Sequence, residues 1–148
     1  MAETDDVLAI TALLHRYAEL LDGGDLDGVA ALFERASWGA GTRDFTVEGT
    51  EQVRHMYDGV ILYEDGTPRT KHVITNVIID VGADRASATA RSYFTVLQAT
   101  DGLTLQPIIA GRYHDRFAHD GGAWRFAERI IHPDLQGDLS RHMRGPTR

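Results

Sequence analysis

Four runs of strand-forming residues fill the second half of the chain, and the first of them reads HVITNVIIDV at positions 72–81. The second reads ASATARSYFTVLQA at 86–99, and the others lie at 105–119 and 124–131. All four are rich in Val, Ile, Thr, Tyr and Phe, which favour β-strands. The joints between them are Gly82-Ala83-Asp84, Asp101-Gly102 and Asp120-Gly121-Gly122. Such short joints suit hairpins and exclude helical crossovers, so the pattern predicts an antiparallel meander.

Helical spacing dominates the first half of the chain. Apolar residues recur every three or four positions from Asp5 to Leu21, which predicts a helix with one buried face. The sequence Asp22-Gly23-Gly24-Asp25 ends it, and Asp25 is suited to cap a short second helix from Leu26 to Phe33. Extended segments are predicted at Trp38 and 44–47, a third helix at 50–61 and a loop at 63–70.

Helices followed by a meander predict one α+β domain over residues 1–134, with residues 135–148 as a C-terminal tail. In this layout the helices close over one face of a strongly curved, mainly antiparallel sheet. The expected result is a cone-shaped barrel with an internal pocket for a small molecule.

Composition excludes several classes of function. The 148 residues carry a net charge of -7 and contain no cysteine, which argues against nucleic acid or membrane partners and excludes disulfides and thiolate chemistry. The acidic N-terminus lacks the features of a secretion signal, so a cytoplasmic protein is expected. Neither metal-ligand spacing nor a phosphate-binding glycine loop is present, and no cofactor or metal is expected.

Several short motifs occur in an order that resembles the SnoaL-like group of the nuclear transport factor 2 superfamily. They are Arg16-Tyr17-Ala18, Leu21 to Asp25, His72 to Asn76, Ala90 to Phe94, Gly111-Arg112-Tyr113, Trp124-Arg125-Phe126 with Arg129, and Gly137 to His142. The similarity covers nearly the whole chain and is nearest to lyases of the hexachlorocyclohexane dehydrochlorinase and scytalone dehydratase type. It implies a conical fold and a catalytic pair formed by Asp25 and His72. It also implies Arg129 as a third catalytic residue and Trp38 on the pocket wall.

These residue types suit proton abstraction next to an electron-withdrawing group. Neutral imidazole is a base near neutral pH, and a carboxylate on its other ring nitrogen fixes the tautomer. His72 is therefore the expected base, Asp25 the residue that orients it, and Arg129 the cation that stabilises the developing anion. A plain structural interpretation stays open for each: Asp25 as a helix cap, His72 as an ordinary strand histidine, and Arg129 as a partner of a neighbouring carboxylate.

Four further residues are candidates for substrate binding. Strand alternation places Asn76 on the same face as His72, Ile74 and Ile78. Tyr17 and Tyr93 are candidate hydrogen-bond donors, and Trp38 is a candidate stacking surface, although aromatic residues at such positions commonly serve the core.

The sequence thus predicts a cofactor-independent lyase or isomerase, of the dehydratase or dehydrohalogenase kind, that acts on a small cyclic or polyketide-like molecule. Two alternatives remain: a cyclase with the same pair of residues, and a non-catalytic ligand-binding or assembly domain. Apolar positions on both faces of the strand at 72–81 also predict a homo-oligomer, either a dimer or a trimer.

Overall fold

The computed structural model describes residues 2–145, in which three helices precede or interrupt a six-stranded sheet. The helices are α1 (Ala2–Asp22), α2 (Leu26–Ala31) and α3 (Gly49–Met56). The strands are β1 (Ser37–Ala40), β2 (Thr46–Glu48), β3 (Thr70–Val81), β4 (Ser87–Thr100), β5 (Leu103–Asp120) and β6 (Ala123–Gln136). None of the described helices is both long and apolar enough to cross a membrane.

The sheet has the order β2-β1-β6-β5-β4-β3 and curls without closing. Strands β3 to β6 form the predicted antiparallel meander, and β1 pairs with β6 in parallel. The predicted α+β class is confirmed. Because the sheet is open, β3 keeps one free edge, and this edge lies beside α1.

Two element boundaries differ from the prediction. The third helix ends at Met56 rather than at residue 61, because Val60 forms a β-bridge with Met143. Strand β6 runs on to Gln136, which pairs with Ile109, whereas the predicted strand ends at residue 131. The end of the predicted tail, residues 146–148, lies outside the described residues.

The core fills the concave face of the sheet. Alternate residues of β4 are buried there, including Phe94 and Val96, and they belong to the same core cluster as Ile10 and Leu14 of α1. Each buried side chain of this size contributes roughly 1.5–3 kcal/mol through the apolar surface removed from water. The amphipathic spacing of α1 and the period-two pattern of β4 therefore determine which face of each element is buried in the core.

A β-bulge in β3 changes which residues face that core. The register with β4 shifts between Thr75 and Ile78, and Asn76 has a left-handed backbone with φ of 53°. His72 and Ile74 face inward before the bulge, and Val77 faces inward after it. The prediction that Asn76 shares the face of His72 is wrong, because the bulge reverses the alternation and leaves Asn76 exposed.

Glycine is required where the α1–α2 turn meets the loop before β3. Gly24 has a φ of 80°, and a Cβ at this position would lie 1.9 Å from the carbonyl oxygen of Gly66. This close approach holds the loop that carries Thr67 next to the end of α1, and so it shapes one side of the site described next.

Candidate active site

The carboxylate of Asp22, the last residue of α1, bonds to the first residues of β3. Its Oδ1 lies 2.6 Å from Nδ1 of His72 and accepts a hydrogen bond from the Thr70 hydroxyl at 2.8 Å. Its Oδ2 accepts the backbone N–H of His72 at 2.7 Å. The His72 and Asp22 side chains are only 5% and 10% exposed. One buried carboxylate therefore joins the end of α1 to the edge strand and orients the imidazole.

The predicted contact between Asp25 and His72 is wrong. The chain turns sharply at Gly23 and Gly24, and the Asp25 carboxylate accepts the backbone N–H of Gly28 at 2.8 Å, which makes it the cap of α2. The helix-cap interpretation of Asp25 is thus the correct one. Asp22 occupies the place that was assigned to Asp25, because α1 extends one residue beyond the predicted end.

Electrostatics at this pair favour an ionised carboxylate. The pKa of Asp22 is lowered from its ordinary value. Burial, the largest single cause, would raise this pKa, but the hydrogen bonds and the charge of His72 together outweigh burial. A carboxylate only accepts hydrogen bonds, so Nδ1 of His72 must carry the proton. The neutral ring then has its lone pair on Nε2, which bonds to no residue within the described range 2–145.

An open cleft of about 540 Å³ lies beside the pair, between α1 and the start of β3. One helix face of α1 forms its first wall through His15, Ala18, Glu19 and Asp22. Lys71, His72 and Ile74 of β3 form the second wall, and Thr67 lies in the adjoining loop. Asp22 and His72 thus both belong to the walls of this cleft, although the His72 side chain is only 5% exposed.

Arg129 lies in the interior and is fully buried. Its Nε and Nη2 donate to the two carboxylate oxygens of Asp115 at 2.8 and 2.9 Å, and its guanidinium stacks over the rings of Tyr113 and Tyr17 at 3.7 and 4.3 Å. Burial works against its charge, but Asp115 outweighs burial and raises the pKa of Arg129. Its Nη1 is buried without a hydrogen-bond partner among the described residues. Arg129 is thus a charge-balanced cation with one free donor.

Tyr17 and Trp38 also lie in the interior, joined by a residue that sequence reasoning did not single out. The Trp38 indole N–H donates to the Tyr57 hydroxyl at 3.0 Å, and the hydroxyls of Tyr57 and Tyr17 lie 2.5 Å apart. Burial raises the pKa of both tyrosines, so both stay neutral. In the sequence, Tyr57 was only an apolar position of the predicted third helix, and in the structure it follows the end of α3. Substrate contact by Tyr17 and Trp38 stays a prediction.

Tyr93 does not face the interior. It lies between the buried residues Ser92 and Phe94 of β4, so its side chain points to the opposite face and is 52% exposed. Together with Asn76 it lines a shallow cleft on the outer face of the sheet. The prediction that Asn76 and Tyr93 bind a substrate beside His72 is wrong for both, because strand alternation and the bulge place them on the other side of the sheet.

The C-terminal segment carries a further buried histidine that sequence reasoning missed. His142 is 7% exposed, and burial together with the charge of His72 lowers its pKa to about 4. It follows the last strand and belongs to no periodic pattern, so only its family-like ending, Gly137 to His142, drew attention to it.

The family model described as SnoaL-like domain matches residues 2–130. This region contains Asp22, His72 and Arg129, whereas His142 lies beyond it. No curated protein matches the sequence.

Solved structures of similar proteins confirm the fold. A Mycobacterium tuberculosis protein of unknown function is 26% identical, with a TM-score of 0.73 over 90% of this chain and 74% of its own. A Novosphingobium aromaticivorans protein provisionally described as a scytalone dehydratase is 21% identical, with a TM-score of 0.71 over 93% and 91%. A Xanthomonas campestris protein provisionally described as a calcium/calmodulin dependent protein kinase II association domain is 17% identical, with a TM-score of 0.66 over 84% and 85%.

Proposed function

This chain belongs to the SnoaL-like domain family, and from that premise we propose that it is a cofactor-independent lyase or isomerase whose base is His72 and whose orienting carboxylate is Asp22. The single observation that carries the proposal is the 2.6 Å contact between Asp22 Oδ1 and His72 Nδ1 on the wall of an open cleft. The substrate would be a small, largely apolar cyclic or polyketide-like molecule.

The geometry of the pair supports general-base chemistry. Asp22 holds the proton of His72 on Nδ1, which leaves Nε2 as the acceptor. The ionised carboxylate also stabilises the imidazolium that forms when Nε2 takes a proton. A pair of this kind typically contributes about 10²- to 10⁴-fold to the rate of a proton-transfer step.

The proposed reaction is a β-elimination. Nε2 of His72 takes a proton from carbon, the C–H electrons form the new C=C bond, and the leaving group departs with the electrons of its own bond. A halide leaves as the anion. A hydroxide takes the proton back from Nε2 and leaves as water, which returns His72 to its neutral form.

Arg129 enters the proposal as a hydrogen-bond donor. Because Asp115 balances its charge, the contribution left to it is the N–H of the unpartnered Nη1. A preorganised donor in a buried site stabilises an oxygen that gains negative charge. Arg129 is buried in the interior with Tyr17, Trp38 and Tyr57, and none of the four lines the open cleft. The proposed role therefore requires the substrate to reach past the cleft into the interior.

Replacing His72 by Ala tests the base directly. Nitrobenzisoxazole is a suitable probe, because removal of its ring proton by any well-placed base breaks the N–O bond and releases a coloured cyanonitrophenolate. We expect the native protein to accelerate this elimination and His72→Ala to lose about 10²- to 10⁴-fold of that rate.

His55→Ala is the matched control, since the His55 side chain is 84% exposed and bonds only to Asp58. It should keep the native rate. A native rate equal to that of His72→Ala would contradict the proposal. Product analysis on dehydration and cyclisation substrates then separates a lyase from the alternative, a cyclase with the same base.

The outer face of the sheet supports the further proposal of a homo-oligomer. The pairing register aligns Val73, Thr95, Ala110 and Leu135 in one row across β3 to β6. Val73 and Leu135 at its two ends are 41% and 69% exposed. Exposed apolar side chains in such a row are the kind of surface that a second copy of the chain covers.

Light scattering checks this proposal. We expect a mass that is a multiple of the 16.4 kDa chain, and a fall towards one chain when Leu135 is replaced by Asp, because a charge in an apolar interface is costly to bury. A native mass of one chain would contradict it.

A further inference from the structure

The outer face of the sheet carries a second cleft, at the point where the β-bulge interrupts β3. Its volume of about 320 Å³ is within the range of small-molecule sites, ~300–1,000 Å³. Its lining includes Asn76 and Ile78 of β3, Arg91 and Tyr93 of β4, and Arg112 and His114 of β5. Among the described residues, none lines both this cleft and the cleft beside the Asp22–His72 pair. The protein therefore has a second concave surface that the proposed reaction does not use.

The bulge places a free amide at this outer cleft. Thr75 pairs with Tyr93 across the two strands. The next pair joins Ile78 to Arg91, so β3 has one residue more than β4 between the two pairs. Asn76 adopts a left-handed backbone there, which asparagine tolerates better than most residues with a side chain. Asn76 is exposed, and its side chain bonds to no residue in the range 2–145, so its amide is available to a ligand.

The positive charge in the outer cleft is not balanced by the lining itself. Arg91 is exposed, and its side chain forms no ion pair or hydrogen bond with the described residues. Arg112 differs, because its Nε and Nη2 donate to the carboxylate of Asp134 at 2.8 and 3.0 Å. None of the described lining residues has a carboxylate, in a chain whose net charge is -7. Arg91 is therefore a cation whose charge an anion in the cleft would balance.

His114 and two apolar side chains complete the outer cleft. The rings of His114 and His132 lie 4.7 Å apart, and this contact restricts the position of the His114 ring. An imidazole has at least one N–H donor in both protonation states, and the ring nitrogens of His114 bond to no described residue. Tyr93 is 52% exposed and Ile78 is 46% exposed, so apolar surface lies beside the polar groups. The cleft thus combines a cation and hydrogen-bond donors with walls for an apolar ring.

We propose that the outer cleft is a binding site for a small aromatic carboxylate, whose charged group binds to Arg91 and whose ring packs against Tyr93 and Ile78. Two N–H groups of a guanidinium match the two oxygens of a carboxylate, and such a charge-assisted pair is stronger than a neutral hydrogen bond. The free amide and the imidazole described above supply further donors. The inference goes beyond the proposed function, because this site lies on the other face of the sheet from His72 and does not depend on elimination there.

Titration calorimetry with benzoate tests the site in the full chain. We expect benzoate to bind, and benzamide, which has the same ring without the charge, to bind about tenfold more weakly. Arg91→Gln should weaken benzoate binding about tenfold, whereas Arg91→Lys, which keeps the charge without the planar fork, should recover part of the loss. Tyr93→Ala should weaken binding about 2- to 10-fold through the lost ring contact.

Arg16→Gln is the matched control, because it makes the same change in net charge on α1, where the Arg16 side chain bonds to Glu19. It should leave the affinity for benzoate unchanged. Circular dichroism shows that each variant keeps the fold.

Several results would overturn the inference. Benzamide that binds as tightly as benzoate, or Arg91→Gln with native affinity, would exclude recognition of the charge. Inorganic phosphate that binds as tightly as benzoate, with no loss in Tyr93→Ala, would exclude recognition of the ring. Because a second copy of the chain on the same face could cover the cleft, the titration is repeated with Leu135→Asp. Benzoate binding by this variant alone would support the inference, and no binding by either protein would overturn it.

Discussion

Replacing Asp22 by Asn should lower the rate of base-catalysed elimination by about 10²- to 10⁴-fold. The asparagine amide can donate to Nδ1 of His72, which would move the ring proton to Nε2 and remove the acceptor nitrogen. The imidazolium would also lose its stabilising anion. Initial rates with nitrobenzisoxazole, measured over a range of substrate concentrations, give the loss in kcat.

Asp25→Asn is the matched control for this experiment, because it makes the same chemical change three residues later. Asn is as good a helix cap as Asp, so we expect both the stability and the rate of this variant to stay near native values. The opposite result, a loss in Asp25→Asn and none in Asp22→Asn, would restore the pairing that the sequence suggested and would contradict the site described above.

Removing the carboxylate of Asp115 should destabilise the fold by about 3–5 kcal/mol, since Asp115→Ala leaves the guanidinium of Arg129 buried without a counter-ion. The side chains of both residues are completely buried, so solvent cannot compensate for the lost partner. Urea unfolding followed by circular dichroism measures the change as a shift in the midpoint.

A double variant tests whether the loss of stability comes from the unpaired charge of Arg129. Asp115→Leu combined with Arg129→Met removes both charges at similar volume, and it should recover most of the stability that the single change loses. Asp134→Ala, which breaks an exposed pair with Arg112, should cost about 1 kcal/mol or less. An equal loss of stability in Asp115→Ala and Asp134→Ala would contradict the prediction that the buried pair stabilises the fold more than the exposed one.

The sequence was sufficient to predict the fold class and the strand order of the meander. Long runs of β-branched and aromatic residues with short Gly and Asp joints leave few alternatives to antiparallel hairpins. The sequence was not sufficient to predict side-chain direction along β3. One bulged residue, Asn76, reverses the alternation, and nothing in the local pattern marks it as bulged.

The identity of the carboxylate that pairs with His72 depended on a single helical residue. Asp22 and Asp25 flank the same pair of glycines, and either could face β3 until the end of α1 is known. The burial of His142 could not be predicted for another reason: it depends on hydrogen bonds between segments that are far apart in the chain, such as that between Ile61 and His142. The role of Arg129 in the reaction stays a prediction, although its pairing with Asp115 places it in the interior.

The bond from the His72 backbone N–H to Asp22 has a consequence for the sheet as a whole. Strand β3 is an edge strand, and the free donors of such an edge can pair with a strand from another molecule and start aggregation. Asp22 occupies one of these donors with a charged, buried carboxylate. The carboxylate that orients the His72 ring therefore also protects the free edge of the sheet from unwanted strand addition.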